Sequence, residues 1–152
     1  MDMRINFFKV SPEGYQAASG MEKYVSNSGL DKGLLHLIKL RASQLNGCAY
    51  CIDMHWKDAR AAGETEQRLY GLSAWAESPY YTSRERAALR WTEIITRIGD
   101  NHAPDSEYTA VREEFDEKEL VDLTWGIATI NAWNRLAIAF RSPAGTYQPP
   151  KK

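Results

Sequence analysis

No stretch of the chain is apolar for long enough to span a bilayer, and Met1-Asp2-Met3-Arg4 opens it without the apolar run of a secretory signal. A cytoplasmic address with no membrane partner is the resulting expectation. Charge of either sign is not in excess: the formal net charge is -1, so nucleic acid is not an expected partner either. Sustained apolar–polar alternation and hairpin signals are missing, which argues against a sheet. There is no internal repeat and no flavin or nicotinamide motif. Haem attachment through paired cysteines needs a histidine directly after the second one, and Ile52 stands there. Cysteine itself is scarce, at two. A structural zinc site takes four ligands and a catalytic one three plus water. Cys48, Cys51 and His55 could supply three, and only His36 and His102 remain for another. The expectation is no metal and no cofactor.

Both cysteines fall in Gly47-Cys48-Ala49-Tyr50-Cys51-Ile52-Asp53-Met54-His55. Two thiols spaced as Cys-x-x-Cys can close a small disulfide ring with little backbone movement. At the start of a helix they meet the positive end of its dipole, which favours thiolate. His55 lies at i+4 from Cys51 and i+7 from Cys48, so all three share one helical face. A nucleophile, a second thiol to resolve it and a base make the pattern of a redox active site. Two buried structural cysteines are the alternative, because free cysteine packs as a small hydrophobe. Such a pair would have no need of a histidine in register.

A chain of 152 residues fits one domain with a sizeable core. Residues 1–10 read as an extended segment and residues 11–141 as a helical domain. Residues 142–152, with Pro143, Pro149 and Pro150, read as a mobile tail. Ser11-Pro12 opens a first helix, which Asn27-Ser28-Gly29 ends. Asp31 caps a second, broadly apolar helix that stops at Asn46-Gly47. On it His36, Leu40, Ser43 and Gly47 form a stripe leading to the cysteine turn, although an ordinary half-buried side chain would also account for His36. The cysteine helix runs from about Ala49 to Ala62, with Asp53, Lys57, Asp58 and Arg60 as a solvated face. Thr65 caps a helix carrying Leu69, Leu72 and Ala76. Thr82-Ser83-Arg84-Glu85 is a capping box ahead of a helix that reaches Ile98. Gly99 to Pro104 reads as a loop, and a short helix carries Tyr108, Val111 and Phe115.

From Leu120 to Phe140 the last helix is apolar on nearly every face, the mark of burial in a core or a subunit contact. Its polar residues Asn131, Asn134 and Arg135, with Trp133 among them, form either a buried hydrogen-bonded network or the lining of the thiol pocket. The spacing leaves both open. The fold class is all-α, a single-domain bundle of six to seven helices.

The run from Leu40 to His55 resembles the alkylhydroperoxidase D-like branch of the carboxymuconolactone decarboxylase family. The likeness continues from Lys57 to Leu69, at Arg84-Glu85-Arg86-Ala87-Ala88-Leu89 and at Ile130-Asn131-Ala132-Trp133-Asn134-Arg135, about two thirds of the chain. The resemblance implies an all-helical homo-oligomer, built from dimers, trimers or hexamers. It further implies thiols that reduce peroxides and are regenerated by a dithiol. The family usually carries a glutamate twelve residues before the first motif cysteine. Here that position is His36, an imidazole able to shuttle protons near neutral pH but without a fixed negative charge. Between the cysteines stands Tyr50, where the best-known peroxidase members carry histidine.

The leading expectation is a thiol-dependent peroxidase or disulfide reductase. Cys51 is its peroxidatic nucleophile, His55 its base and His36 a proton relay; Tyr50, Asn131, Trp133, Asn134 and Arg135 line or support the pocket. Cys48, nearer the start of the helix, is expected to be the more exposed sulfur and the one met by an external dithiol reductant. Lactone decarboxylation, which names the wider family, needs no thiol, and a redox-sensing subunit needs no turnover. Both stand as alternatives.

Overall fold

The computed structural model describes residues 2–150, and among these the chain forms helices and no strand. They are α1 (Phe7–Val10), α2 (Pro12–Ser26), α3 (Lys32–Asn46), α4 (Ala49–Ala61), α5 (Glu66–Tyr70), α6 (Ser83–Thr96), α7 (Ile98–Asn101), α8 (Asp105–Arg112) and α9 (Glu117–Phe140). None of them is long and apolar enough to cross a membrane. The all-α class is as expected, but the six to seven helices become nine among the described residues. The additions, α1 and α7, have four residues each, too short to carry an apolar period. Residues 1–10 are therefore not extended throughout, since Asn6 caps the α1 turn by accepting from Lys9 N–H. The helix expected after Thr65 divides into α5 and a 3-10 turn, Gly71–Ala74, and Leu69 and Leu72 stay buried on either side of the change.

Local chemistry sets the helix starts. The Asp31 carboxylate accepts from Leu34 N–H at 2.8 Å. Thr82 with Glu85, and Asp116 with Glu119, close full capping boxes on α6 and α9. Pro12 is the first residue of α2, as read, although Ser11 makes no side-chain capping bond.

The bundle is built around α3, which packs against α4, α6 and α9. On one side Leu34, Leu35 and Ile38 join Val25, Trp91, Phe115, Leu123 and Ile127 in the larger core. On the other, Leu37 and Leu40 meet Ala59, Leu69, Leu72 and Leu89. A third, small cluster sets Cys48 and Cys51 against Ala137 near the end of α9. Burying these side chains is worth about 1.5–3 kcal/mol each, which holds α3 in place and fixes whatever its ends carry.

The tail corrects two expectations at once. Gly145 N–H donates to Asp53 at 3.1 Å, Lys57 Nζ donates to the Tyr147 carbonyl at 3.0 Å, and Tyr147 Oη donates to Asp58 at 2.6 Å. The segment read as mobile is thus strapped to α4 by side chains read as a merely solvated face. Its composition gave no sign of this, because the partners of Gly145 and Tyr147 belong to α4. Residues 151–152 lie outside the described residues.

At Gly126 a Cβ would lie 3.3 Å from Ile38 Cδ1 and 3.4 Å from Val25 Cγ1, so α9 crosses α2 and α3 with no room for a branched side chain. Gly126→Val should therefore destabilise the fold by about 1–3 kcal/mol. Urea unfolding should show a lower midpoint at unchanged slope.

Candidate active site

The turn between α3 and α4 places the sulfurs. Gly47 sits at φ 70°, ψ 31°, left-handed space that glycine occupies without a Cβ penalty. Its N–H donates to the Gln44 carbonyl at 3.2 Å and that of Cys48 to the Ser43 carbonyl at 3.0 Å, which closes the end of α3. Cys48 thereby becomes the N-cap of α4, and its Sγ accepts from Cys51 N–H at 3.3 Å. The two cysteines are joined as a disulfide, with their Cα atoms 5.3 Å apart.

A cavity of about 400 Å³ opens beside this pair. Cys51 lines it and Cys48 does not; the two residues are 2% and 1% exposed. The expectation that Cys48 is the more exposed sulfur is thus overturned, because its side chain turns back over α4 to cap it. From α4 the cavity also receives Tyr50, Met54, His55 and Asp58, and from α3 His36 and Lys39. α2 gives Tyr15 and Glu22, α1 gives Phe7 and Phe8, and α9 gives Trp133 and Ala137. Phe8 meets Tyr15 edge-on at 5.1 Å and Tyr15 meets Trp133 edge-on at 5.8 Å, forming a continuous aromatic wall.

Burial governs the electrostatics around His55. His55 is 6% exposed, and its Nε2 is buried with no hydrogen-bond partner. Burial first, then the Lys39 ammonium and His36, push its pKa down to about 3. Burial and Lys39 also lower His36. At neutral pH both imidazoles are therefore uncharged. Lys39, 7% exposed, forms an ion pair with Glu22 across α2 and α3. The carboxylates of the cavity thus come from α2 and α4, as Glu22 and Asp58, and not from position 36 of α3. Burial raises the pKa of the Tyr50 phenol. Among the described residues no three His, Cys, Asp or Glu side chains are grouped to hold a metal ion.

The polar residues of α9 divide. Trp133 lines the cavity. Asn131, Asn134 and Arg135 do not, and they form the structural network instead. Asn46 Nδ2 donates to Asn131 Oδ1 at 2.9 Å and to Asn134 Oδ1 at 2.8 Å. Asn134 Nδ2 donates to Ser43 Oγ at 3.1 Å, and Arg135 Nη1 to the Asn131 carbonyl at 2.9 Å. Sequence reasoning missed Lys39, Glu22, Asp58, Phe7 and Phe8 as cavity residues. A cation between Ile38 and Leu40 in an apolar helix was a usable signal for Lys39; Glu22 offered none.

The sequence pattern of the "Carboxymuconolactone decarboxylase family" matches residues 12–93. The uncharacterized protein YdfG of Bacillus subtilis is 47% identical over 146 residues, covering 96% of this chain and 99% of that protein. The crystal structure of ATU0492 from Agrobacterium tumefaciens, a protein of unknown function, superposes with a TM-score of 0.93 at 46% identity, over 96% of this chain and 100% of that one. The alkyl hydroperoxide reductase AhpD of Bradyrhizobium diazoefficiens is 40% identical over 45 residues, which is 30% of this chain and 25% of that protein.

Burial of a neutral His55 has a consequence for stability. Its folded pKa of about 3 lies below the ordinary 6.5, so between those values the unfolded chain binds more protons. This contribution is complete above pH 6.5 and is lost as pH falls toward 3. It should cost about 2 kcal/mol by pH 5, before most carboxylates titrate. Denaturant unfolding from pH 7 to 5 should show that slope in the wild type and a flatter one in His55→Gln, with a remainder due to His36.

Proposed function

Because the chain belongs to the carboxymuconolactone decarboxylase family and holds Cys48 and Cys51 as a disulfide beside an aromatic-walled cavity, we propose that it is a thiol-dependent peroxidase. It reduces hydroperoxides with electrons from an external dithiol. The observation that carries this reading is that Cys51 is the sulfur lining the cavity, with the unpartnered Nε2 of His55 one helical turn away on the same helix. The regional likeness to an alkyl hydroperoxide reductase supports it.

In the reduced protein the Cys51 thiol proton leaves by way of His55, which carries it only in passing. The thiolate attacks the terminal peroxide oxygen, the O–O bond breaks, and the leaving alkoxide takes the proton back to depart as an alcohol. Cys48 then displaces water from the Cys51 sulfenic acid and restores the disulfide. The reductant thiolate enters by the same cavity and attacks Cys51. Cys48 leaves as a thiolate on the helix N-terminus, where the Cys51 N–H already points at it. The reductant's second thiol then attacks its own sulfur in the mixed disulfide, Cys51 leaves as a thiolate, the oxidised reductant departs, and protonation returns both cysteines as thiols. His36 serves as the proton relay between His55 and solvent.

Peroxide consumption with a dithiol reductant tests the reading. Cys51→Ser should abolish turnover, and Cys48→Ser should permit about one equivalent of peroxide and then stall. His36→Gln should lower turnover, whereas His36→Glu, which restores the usual family residue, should preserve or raise it. Thiols that survive one equivalent of peroxide, or peroxide turnover that survives the double cysteine-to-serine change, would overturn it; activity on γ-carboxymuconolactone that survives the double change would favour lactone chemistry.

We also propose a homo-oligomer. Trp125 and Val121 on α9 are 46% and 55% exposed, and Tyr24 and Met21 of α2 extend the same apolar surface beside Trp125. Light scattering at micromolar concentration should give at least twice 17.3 kDa, and Trp125→Glu should lower the mass. A monomeric wild type would refute the proposal.

A further inference from the structure

The cavity contains a charged pair that the steps above do not use. Lys39 is a buried ammonium on the wall that Cys51 and His55 share, and its ion-pair partner, Glu22, reaches in from α2 with a side chain 34% exposed. Buried ammonium groups are rare, and this one lies between Ile38 and Leu40 on a broadly apolar helix. An anion must nevertheless form in this cavity whenever the disulfide opens and Cys51 ionises.

We propose that Lys39 is the cation against which the Cys51 thiolate forms, with Glu22 as the counter-charge that tempers it. The proposal rests on Cys51 being the nucleophile. The proton released by the thiol only passes over the bare Nε2 of His55 on its way through His36 to solvent, so the lasting counter-charge of the thiolate is a separate group. His55 is a poor candidate for the cation: a thiolate would have to lift it from about 3 past 7 before it could serve. The field of Lys39 helps to hold that imidazole neutral, and a field that disfavours a cation at His55 favours an anion one helical turn away at Cys51. His36 is held neutral in the same way. The other ionisable groups facing the space are Tyr15 from α2, and Tyr50 and Asp58 from α4. Asp58 opposes thiolate formation, and the Tyr147 hydroxyl donates to it at 2.6 Å. Neither α1 nor α9 sends an ionisable group to the cavity wall. Among the described residues Lys39 is thus the one cation of the cavity at neutral pH.

The experiment needs no peroxide. In the fully reduced protein, thiolate absorbance at 240 nm and the iodoacetamide alkylation rate of Cys51 are followed against pH, with Cys48 replaced by serine to isolate one sulfur. Lys39→Met should raise the midpoint by about one pH unit and slow alkylation about ten-fold on the acidic side. Lys39→Arg should keep the wild-type midpoint. Glu22→Gln, at a side chain exposed enough to spare the fold, should lower it. A midpoint that Glu22→Gln leaves unmoved overturns the proposal whether or not Lys39→Met folds. A midpoint that ignores Lys39→Met but moves with His55→Gln overturns it in favour of an imidazolium partner. If the protein titrates as expected yet consumes no peroxide, the peroxidase reading fails and the assignment of Lys39 stands.

Discussion

A single left-handed residue, Gly47, sets the angle at which α4 leaves α3, and that angle places the site. The turn makes Cys48 a cap and puts Cys51 in the first turn of α4. Its support comes from the far side of the bundle. Asn46, the last residue of α3, is gripped by Asn131 and Asn134 of α9, and Asn134 also holds Ser43, whose carbonyl receives Cys48 N–H. Asn131 Nδ2 donates to Thr96 Oγ1 and the Ile127 carbonyl, and Asn134 Nδ2 to Ser43 Oγ, so both amides sit in the core without the penalty of an orphaned polar group. The polar residues of α9 thus serve the sulfurs without facing the cavity. They fix the end of the helix from which the cysteines hang.

What could be read from the amino-acid order follows the range of each interaction. The cysteine spacing, the register of His55, the Asp31 cap and the capping box at Thr82 are local, settled within a turn or two of helix. Each was legible. The direction of a face on α9 is not local: Asn131 and Asn134 could have pointed at the sulfurs or behind them, and the packing of α9 on α3 decided it. Glu22 is the sharper case. It stands in an ordinary amphipathic helix, and only the packing of α2 on α9, which also holds α3, brings it to Lys39. The tail shows the same limit, since its prolines describe its own stiffness and say nothing of Asp53, Lys57 and Asp58 waiting on α4. Cys48 was misjudged for a related reason. Proximity to a helix start suggests exposure, but an N-cap side chain folds back over its helix when it accepts a backbone N–H.

The two sulfurs of one short motif consequently have different electrostatic surroundings. Cys48 lies against backbone, where the end of α4 offers an oriented N–H and the positive pole of a helix dipole. Cys51 faces side chains: a buried ammonium, a neutral imidazole and an aromatic wall. Backbone support is fixed when the chain folds and changes little with pH. Side-chain support depends on the ion pair beside it and can be altered by one substitution at Lys39 or Glu22. In a reaction where one thiolate must leave readily and the other must attack, that division suits the parts. On the mechanism we propose, Cys48 leaves from constant backbone support, which favours departure, while Cys51 attacks from a place where its basicity, and with it its nucleophilicity, can be set by the balance between a lysine and a glutamate.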